Sequence, residues 1–297
     1  MLRLLMIADD FTGALDTGVQ LAAHGIPTQV VVGQADLSAC SSTVLVVDTE
    51  TRHLPAAKAA KAVEELTRSA MENGVGCIYK KTDSALRGNI GAELAALLKA
   101  SGARNLPFLP AFPQIGRTTE KGVHYINGVP VNESPFGIDP FEPVRCAEVT
   151  KLIRLQTDVP AQSLQPGETA ADKTGILVYD AATAADLETT GRQLFQNGAL
   201  GQQGREGQQR ARQRRVILRQ ILVKRDLPLF QRHRRPQQGK AAGKRRQQPV
   251  QAVQKAALLG KAHLFDAPQL VLHRHAGGVP GEALVGEIRR HAQFQNT

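Results

Sequence analysis

The sequence predicts an α/β fold, with a mostly parallel sheet flanked by helices, one β-hairpin excursion, and a basic tail of low order after it. Three observations predict this. Short apolar runs alternate with longer amphipathic runs through the first 200 residues. The apolar runs suit strands buried on both sides, and parallel neighbours need crossovers of about a dozen residues or more, which the amphipathic runs supply. The pattern then breaks near Leu200. Residues 1 to 200 carry 17 Lys and Arg against 22 Asp and Glu, whereas residues 201 to 297 carry 20 against 5. The overall charge of +10 therefore describes neither part.

The elements follow in order. Leu2 to Ala8 is the first strand and ends at Asp9-Asp10. Gly13 to His24 is a helix with Leu15, Val19 and Ala22 on one face, and Gly25 fits its C-cap. Thr28 to Val32 and Thr43 to Val47 are strands. Residues 56 to 72 form an Ala-rich helix, Cys77 to Lys80 a strand, and residues 90 to 101 a further helix that Gly102 stops. Leu106 to Pro110 and Gly175 to Tyr179 complete the strands. Between these two, Asn127-Gly128 with apolar flanks from His124 to Val131 is a hairpin-turn signal. It lies in a loop-rich stretch, Pro107 to Pro143, of the kind that forms sites on an α/β scaffold.

Beyond Leu200 the chain offers Gln-Gln and Arg-Arg pairs, 16 Gln in 97 residues, no Tyr, three Phe, and short apolar runs such as Val216 to Val223. This is too little apolar material for a second domain like the first. A length of 297 residues admits one large domain or two average ones. Cys40, Cys77 and Cys146 are few, odd in number and widely spaced, which argues against disulfides or a CxxC metal site and for reduced thiols in the cytosol. The opening apolar run falls far short of the ~20 residues that span a bilayer, so neither a targeting nor a membrane segment is expected.

Four segments carry candidate chemistry. Ala8-Asp9-Asp10-Phe11-Thr12-Gly13-Ala14 lies where a strand ends and a helix begins, the place where open α/β sheets bind ligands. Its carboxylates can meet a substrate hydroxyl or a metal, or Asp10 or Thr12 can simply cap the helix. Tyr79 to Gly91 lies at another strand end. Lys81 and Arg87 can hold a carboxylate or phosphate, and Thr82, Asp83 and Ser84 suit a polyol. Asp48-Thr49-Glu50-Thr51-Arg52 would adjoin both if the strands are neighbours, but taken alone it reads as a surface ion pair. Pro113 to Thr119, around Gly116-Arg117, resembles an anion-binding turn and equally an ordinary Gly-centred loop.

The sequence has no GxxxxGK[ST], no GxGxxG after a strand, no HExxH and no GxSxG. His273-Arg274-His275 lacks a nearby carboxylate or Cys and reads as a solvated tract, not a metal site. No protein-held metal is expected, and any metal in the first domain would be a cation carried with a nucleotide.

Together these segments resemble the four-carbon acid sugar kinases, the family of D-threonate, D-erythronate and 3-oxo-tetronate kinases. The resemblance is carried by IADDFTGALDTGVQLA at 7 to 22, DTETR at 48 to 52, YKKTDSALRGNIGAEL at 79 to 94, PAFPQIGRTT at 110 to 119 and NGVPVNESPFGIDPFEPV at 127 to 144. It continues from Ile176 to Leu187 and fades near Leu200. The forms DTGVQLA and KKTDSALRGNIGAE are most similar to the D-threonate branch.

The resemblance implies a sugar-acid-binding domain at residues 1 to 200 in a cytoplasmic enzyme that uses ATP, with Mg2+ and no tightly bound cofactor, to phosphorylate the terminal hydroxyl of D-threonate or D-erythronate. It implies substrate contacts from Asp10, Arg52, Lys81, Thr82, Asp83 and Ser84, with Arg87 close by. Arg52 and Lys81 would neutralise the carboxylate. Asp10 and Asp83 would accept hydroxyl hydrogen bonds and are the candidate catalytic groups, although phosphoryl transfer asks mainly for positioning and charge stabilisation.

Residues 201 to 297 match nothing of the family's nucleotide domain, so ATP-binding residues are not assigned, and the chain alone is expected to bind a four-carbon acid weakly and transfer no phosphate. Two readings of the tail compete. A wrong-frame continuation accounts for the abundant Gln and Arg, the scarce acids and the lost periodicity. The rival is a basic extension that makes the chain a non-catalytic binding protein for nucleic acid or another polyanion. The composition favours the first. A third functional reading takes 4-hydroxythreonine as the substrate, since the same residue types fit any short hydroxy acid.

Overall fold

A computed structural model describes residues 1–196 together with two strand segments at 215–218 and 270–274. The main sheet has six parallel strands. In chain order they are β1 (Leu4–Ala8), β2 (Thr28–Val32), β3 (Val44–Asp48), β4 (Cys77–Lys81), and two supplied from the tail. β1 pairs on one side with β3 and on the other with β4, and β2 lies outside β3. Every residue of β1 and β3 is buried, as strands covered on both faces require.

Side-chain alternation divides the core between the two faces. Leu5, Ile7, Leu45, Val47 and Ile78 face α2 (Ala56–Glu72) and α3 (Ile90–Ser101), where they meet Val63, Leu94 and Leu97. Leu4, Met6, Val44, Val46 and Tyr79 share the opposite core with Ala14 and Leu21 of α1 (Phe11–Ala23). The helices end as the sequence indicates. Gly102 is left-handed at the end of α3, and Gly25 is left-handed just after the His24 cap of α1.

The last two expected strands do not join this sheet. β5 (Asn105–Phe108) and β10 (Gly175–Tyr179) form a second parallel sheet with β9 (Ala161–Leu164), in the order β5-β10-β9. Pro107 has no N–H to donate, which suits β5 to the edge it occupies. Between β5 and β9 the chain makes the expected excursion. β6 (Arg117–Glu120), β7 (Val123–Ile126) and β8 (Val129–Pro130) are antiparallel. Asn127 (φ 50°) and Gly128 (φ 82°) turn the β7–β8 hairpin with both central residues left-handed. Short helix α4 (Val149–Arg154) precedes β9, and α5 (Ala184–Gln196) follows β10.

The tail gives the main sheet its two outer strands, β11 (Arg215–Leu218) beside β4 and β12 (Leu270–Arg274) beside β2. An open parallel sheet presents rows of unpaired N–H and C=O groups to any extended segment. The rest of the expected tail lies outside the described residues.

Candidate functional site

The register sets the site. Ala8 of β1 is level with Asp48 of β3 and with Lys81 of β4, so the loops after these three strands leave the sheet side by side. The chain runs to β2 and β3 on one side of β1 and to β4 on the other. That reversal of direction opens a crevice at the carboxyl ends of the strands.

Arg52 lies at the centre. Its Nε donates to Asp9 Oδ2 at 2.8 Å and its Nη1 to Asp10 Oδ2 at 2.9 Å, while Nη2 is 3.8 Å from Asp83 Oδ1. Only 8% of Arg52 is exposed, which corrects the surface ion pair expected from its own segment. Asp10 and Asp9 stand 42 and 43 positions away in sequence, so local spacing could not show them. Burial works against the charge of Arg52, but Asp9, Asp83 and Asp10 outweigh it and hold the guanidinium above its ordinary pKa.

Asp10 serves both readings of its segment. It is the N-cap of α1, where its Oδ1 accepts from Gly13 N at 3.0 Å, and its other oxygen takes Arg52. Gly13 also makes room for Lys81. A Cβ there would stand 2.5 Å from Lys81 Nζ and 2.6 Å from Asp10 Oδ1, so the ammonium and the carboxylate both rest against the helix start. Lys81 Nζ donates to the Thr82 carbonyl at 3.0 Å. Thr82 is buried, and its hydroxyl has no partner among the described residues.

Asp83 accepts from Ala85 N and Arg87 N, both at 3.2 Å, and from Arg87 Nε and Nη2 at 2.9 and 3.1 Å. Arg87 reaches Asp139 with its remaining nitrogen, at 3.2 Å. Burial opposes the charge of Arg87, and Asp83 and Asp139 together overcome it and raise its pKa. Leu86, between these groups, is left-handed at φ 65°, strain of about 1 kcal/mol or more that the Asp83 turn holds in place. Ser84 is placed from outside. Its carbonyl can only accept, so His124 Nε2 donates to it at 2.9 Å, and His124 Nδ1 lies 3.0 Å from the Thr119 hydroxyl. Asn89 Nδ2 donates to Thr51 O at 3.0 Å and Leu54 O at 2.8 Å, binding the second and third loops to each other.

Asp48 closes the group. Its Oδ1 accepts from Glu50 N at 3.0 Å, while Oδ2 is buried with no partner among the described residues. Burial, helped by the charges of Glu50, Asp10 and Asp9, outweighs that bond and pushes its pKa up to about 7. A carboxyl that keeps its proton when folded but ionises near its ordinary value of 3.8 when unfolded favours the folded chain below about pH 4. That contribution is lost as pH rises through about 7. Asp48→Asn is expected to remove the slope and raise stability at pH 8 by on the order of 1–3 kcal/mol, with little gain at pH 4. Urea unfolding between these pH values checks this, and an unchanged slope would exclude Asp48 as its source.

All seven sequence-derived site residues, Asp10, Arg52, Lys81, Thr82, Asp83, Ser84 and Arg87, therefore belong to the same three adjoining loops. Asp9, Asp48, Asn89, Arg117, His124 and Asp139 were not among them. All six stood in segments already singled out, but the pairings that bring them to the site, such as the tie from Asp139 to Arg87 across 52 positions, left no local signal. Among the described residues no group of three or more His, Cys, Asp or Glu is arranged to hold a metal ion. No helix among them is long and apolar enough to cross a membrane.

A family profile described as a sugar-binding N-terminal domain matches residues 4–204. A D-threonate kinase of Salmonella typhimurium is 38% identical over 199 residues, 63% of this chain and 47% of that protein. A D-erythronate kinase of Heliobacterium modesticaldum is 32% identical over 216 residues, 67% and 49% of the two chains. A crystal structure of a domain of unknown function from Bordetella bronchiseptica, a domain-swapped dimer with bound citrate, is 34% identical with a TM-score of 0.60, over 72% of this chain and 52% of that one. The chain thus spans about half the length of the curated relatives it matches.

Proposed function

The chain belongs to the four-carbon acid sugar kinase family through its sugar-binding N-terminal domain, and on that premise we propose that residues 1 to 200 bind a four-carbon sugar acid, D-threonate or D-erythronate, for ATP-dependent phosphorylation at its terminal hydroxyl. One observation carries the reading: three loop-borne carboxylates gather on Arg52 beside Lys81 and the unpartnered Thr82 hydroxyl. Such a site offers acceptors for several hydroxyls and cations for one carboxylate within a few ångströms. The citrate bound by the Bordetella protein is also a small hydroxy acid, which supports the ligand class.

In this reading Asp10 and Asp83 hold hydroxyls and orient the one that attacks. Arg52 holds their carboxylates in place, and Lys81 turns an ammonium toward the substrate. Serving as the second substrate, ATP would supply the phosphoryl group. Beside the crevice, the start of α1 is taken by Asp10 and that of α3 by Gln156, whose Oε1 accepts from Gly91 N at 2.7 Å. Three free cysteines fit a reducing, cytoplasmic setting.

Calorimetric titration of the purified full chain with D-threonate, D-erythronate and 4-hydroxythreonine tests the proposal. Saturable binding of a four-carbon acid is expected, weakened at least tenfold by Lys81→Ala, about 1.4 kcal/mol. Absence of binding by every short sugar acid would overturn it, and a preference for 4-hydroxythreonine would replace the substrate.

A further inference from the structure

Around the crevice, two of the three guanidiniums are already taken. Arg52 is held by Asp9, Asp10 and Asp83, and Arg87 by Asp83 and Asp139. Arg117 is different. No ion pair or hydrogen bond engages its side chain among the described residues, and its buried Nε is without a partner. Yet its guanidinium lies over the Phe136 ring at 5.4 Å, and Arg87 lies over the same ring at 5.1 Å. The stack brings Arg117 to the edge of the Asp83 loop, close enough for its charge to feel both Asp83 and Arg87. Burial dominates there and lowers its pKa, as for a cation whose water has been stripped without a replacement.

The backbone fixes this placement. Arg117 N donates to Phe112 O at 3.1 Å, and Phe112 N donates back to Arg117 O at 2.7 Å. The preceding Gly116 is left-handed at φ 69° and packs against the Asn127 side chain, and its carbonyl accepts from Asn127 N at 2.7 Å. A side chain at Gly116 would meet that amide, so the hairpin and the turn hold Arg117 in one position. An arginine that is rigidly held, partly desolvated and left with donors to spare is arranged to receive a planar anion through two parallel hydrogen bonds.

We propose that Arg117 is a substrate-binding residue whose guanidinium holds the carboxylate of the sugar acid, leaving Arg52 to organise the chain's own carboxylates. The inference rests on the sugar-acid reading above and assigns the acid end of the ligand within it. It places the carboxylate on the hairpin side of the crevice and the hydroxyls toward Asp10 and Asp83. Specificity for an acid over the corresponding neutral compound then resides chiefly in Arg117, with the Lys81 ammonium adding its charge nearby.

Titration of the full chain, R117Q and R117K with D-threonate and with its neutral amide tests the assignment, with thermal unfolding as a check of folding. R117Q is expected to lose at least tenfold in affinity for the acid and less than threefold for the amide, and R117K, which keeps the charge but not the fork, to fall between. Binding of D-threonate by R117Q within twofold of wild type would overturn the assignment and leave the sugar-acid reading standing. Failure of the wild type to bind either compound would remove both. Should R117Q not fold, R117K decides, with a threefold or larger loss for the acid expected and wild-type affinity contrary to the proposal. In a parallel titration with inorganic phosphate, a loss in R117Q confined to phosphate would reassign Arg117 to a phosphoryl group and likewise overturn it.

Discussion

Arg52→Ala is expected to lower the free energy of unfolding by about 3–5 kcal/mol and to abolish sugar-acid binding. The side chain is buried at the mouths of three loops, and its Nε, Nη1 and Nη2 face Asp9, Asp10 and Asp83. Without it, Asp9, Asp10 and Asp48 lie close together and lose their shared cation, while Asp83 keeps Arg87. Asp9 is nearly inaccessible to water, and one of its oxygens is already unpartnered, so little hydration can replace the lost bonds. Lysine restores the charge but presents one compact ammonium instead of a fork, so Arg52→Lys should recover only part of the loss. Urea denaturation of the three proteins measures this. A deficit below about 1 kcal/mol for Arg52→Ala would mean that water reaches the cluster freely, as in an exposed ion pair.

Arg52 also marks the limit of what could be read from the sequence. The strands β1 to β4 and the helices α1 to α3 are written in local periodicity, so composition and spacing were enough to place them within a residue or two at most ends. Asn127-Gly128 announced its turn because only left-handed residues fit there. β9 has the sequence Ala-Gln-Ser-Leu, with no apolar run to signal a strand, and its pairing with β10 comes from tertiary packing. That β5 and β10 form a sheet of their own is likewise a matter of which strands meet. The same division runs through the site. Asp10, Lys81, Thr82 and Asp83 stand at strand ends, where chemistry is expected, and could be named. The burial of Arg52, the His124 bond to Ser84 and the tie from Asp139 to Arg87 depend on residues 40 to 52 positions apart. Arg117 lay in a segment whose spacing alone decided nothing, and only its missing partner sets it apart.

Lys80→Met is expected to cost about 3–5 kcal/mol, and adding Glu93→Leu to it should return most of that loss. Lys80 has no exposed surface. Its Nζ lies 2.6 Å from Glu93 Oε2 on α3 and donates to the Lys81 carbonyl at 2.9 Å. Drawing two charges from water into a core that also holds Ile78, Leu94 and Leu97 is expensive, and their attraction roughly offsets that expense only while both are present. Removing the lysine alone strands a carboxylate that water cannot reach, and Glu93 Oε1 is unpartnered even in the intact chain. Removing both ends the desolvation penalty on each side, so a double-mutant cycle should show strong coupling. Stability and binding should then part company. The bond from Lys80 Nζ fixes the peptide from which the Lys81 side chain springs, and no apolar pair can replace it. The double variant is therefore expected to unfold near the wild-type denaturant midpoint while binding D-threonate at least several-fold more weakly. Full recovery of both would reduce the buried pair to a stabilising contact. A stability loss under about 1 kcal/mol for Lys80→Met alone would show that the pair contributes no more than an exposed one.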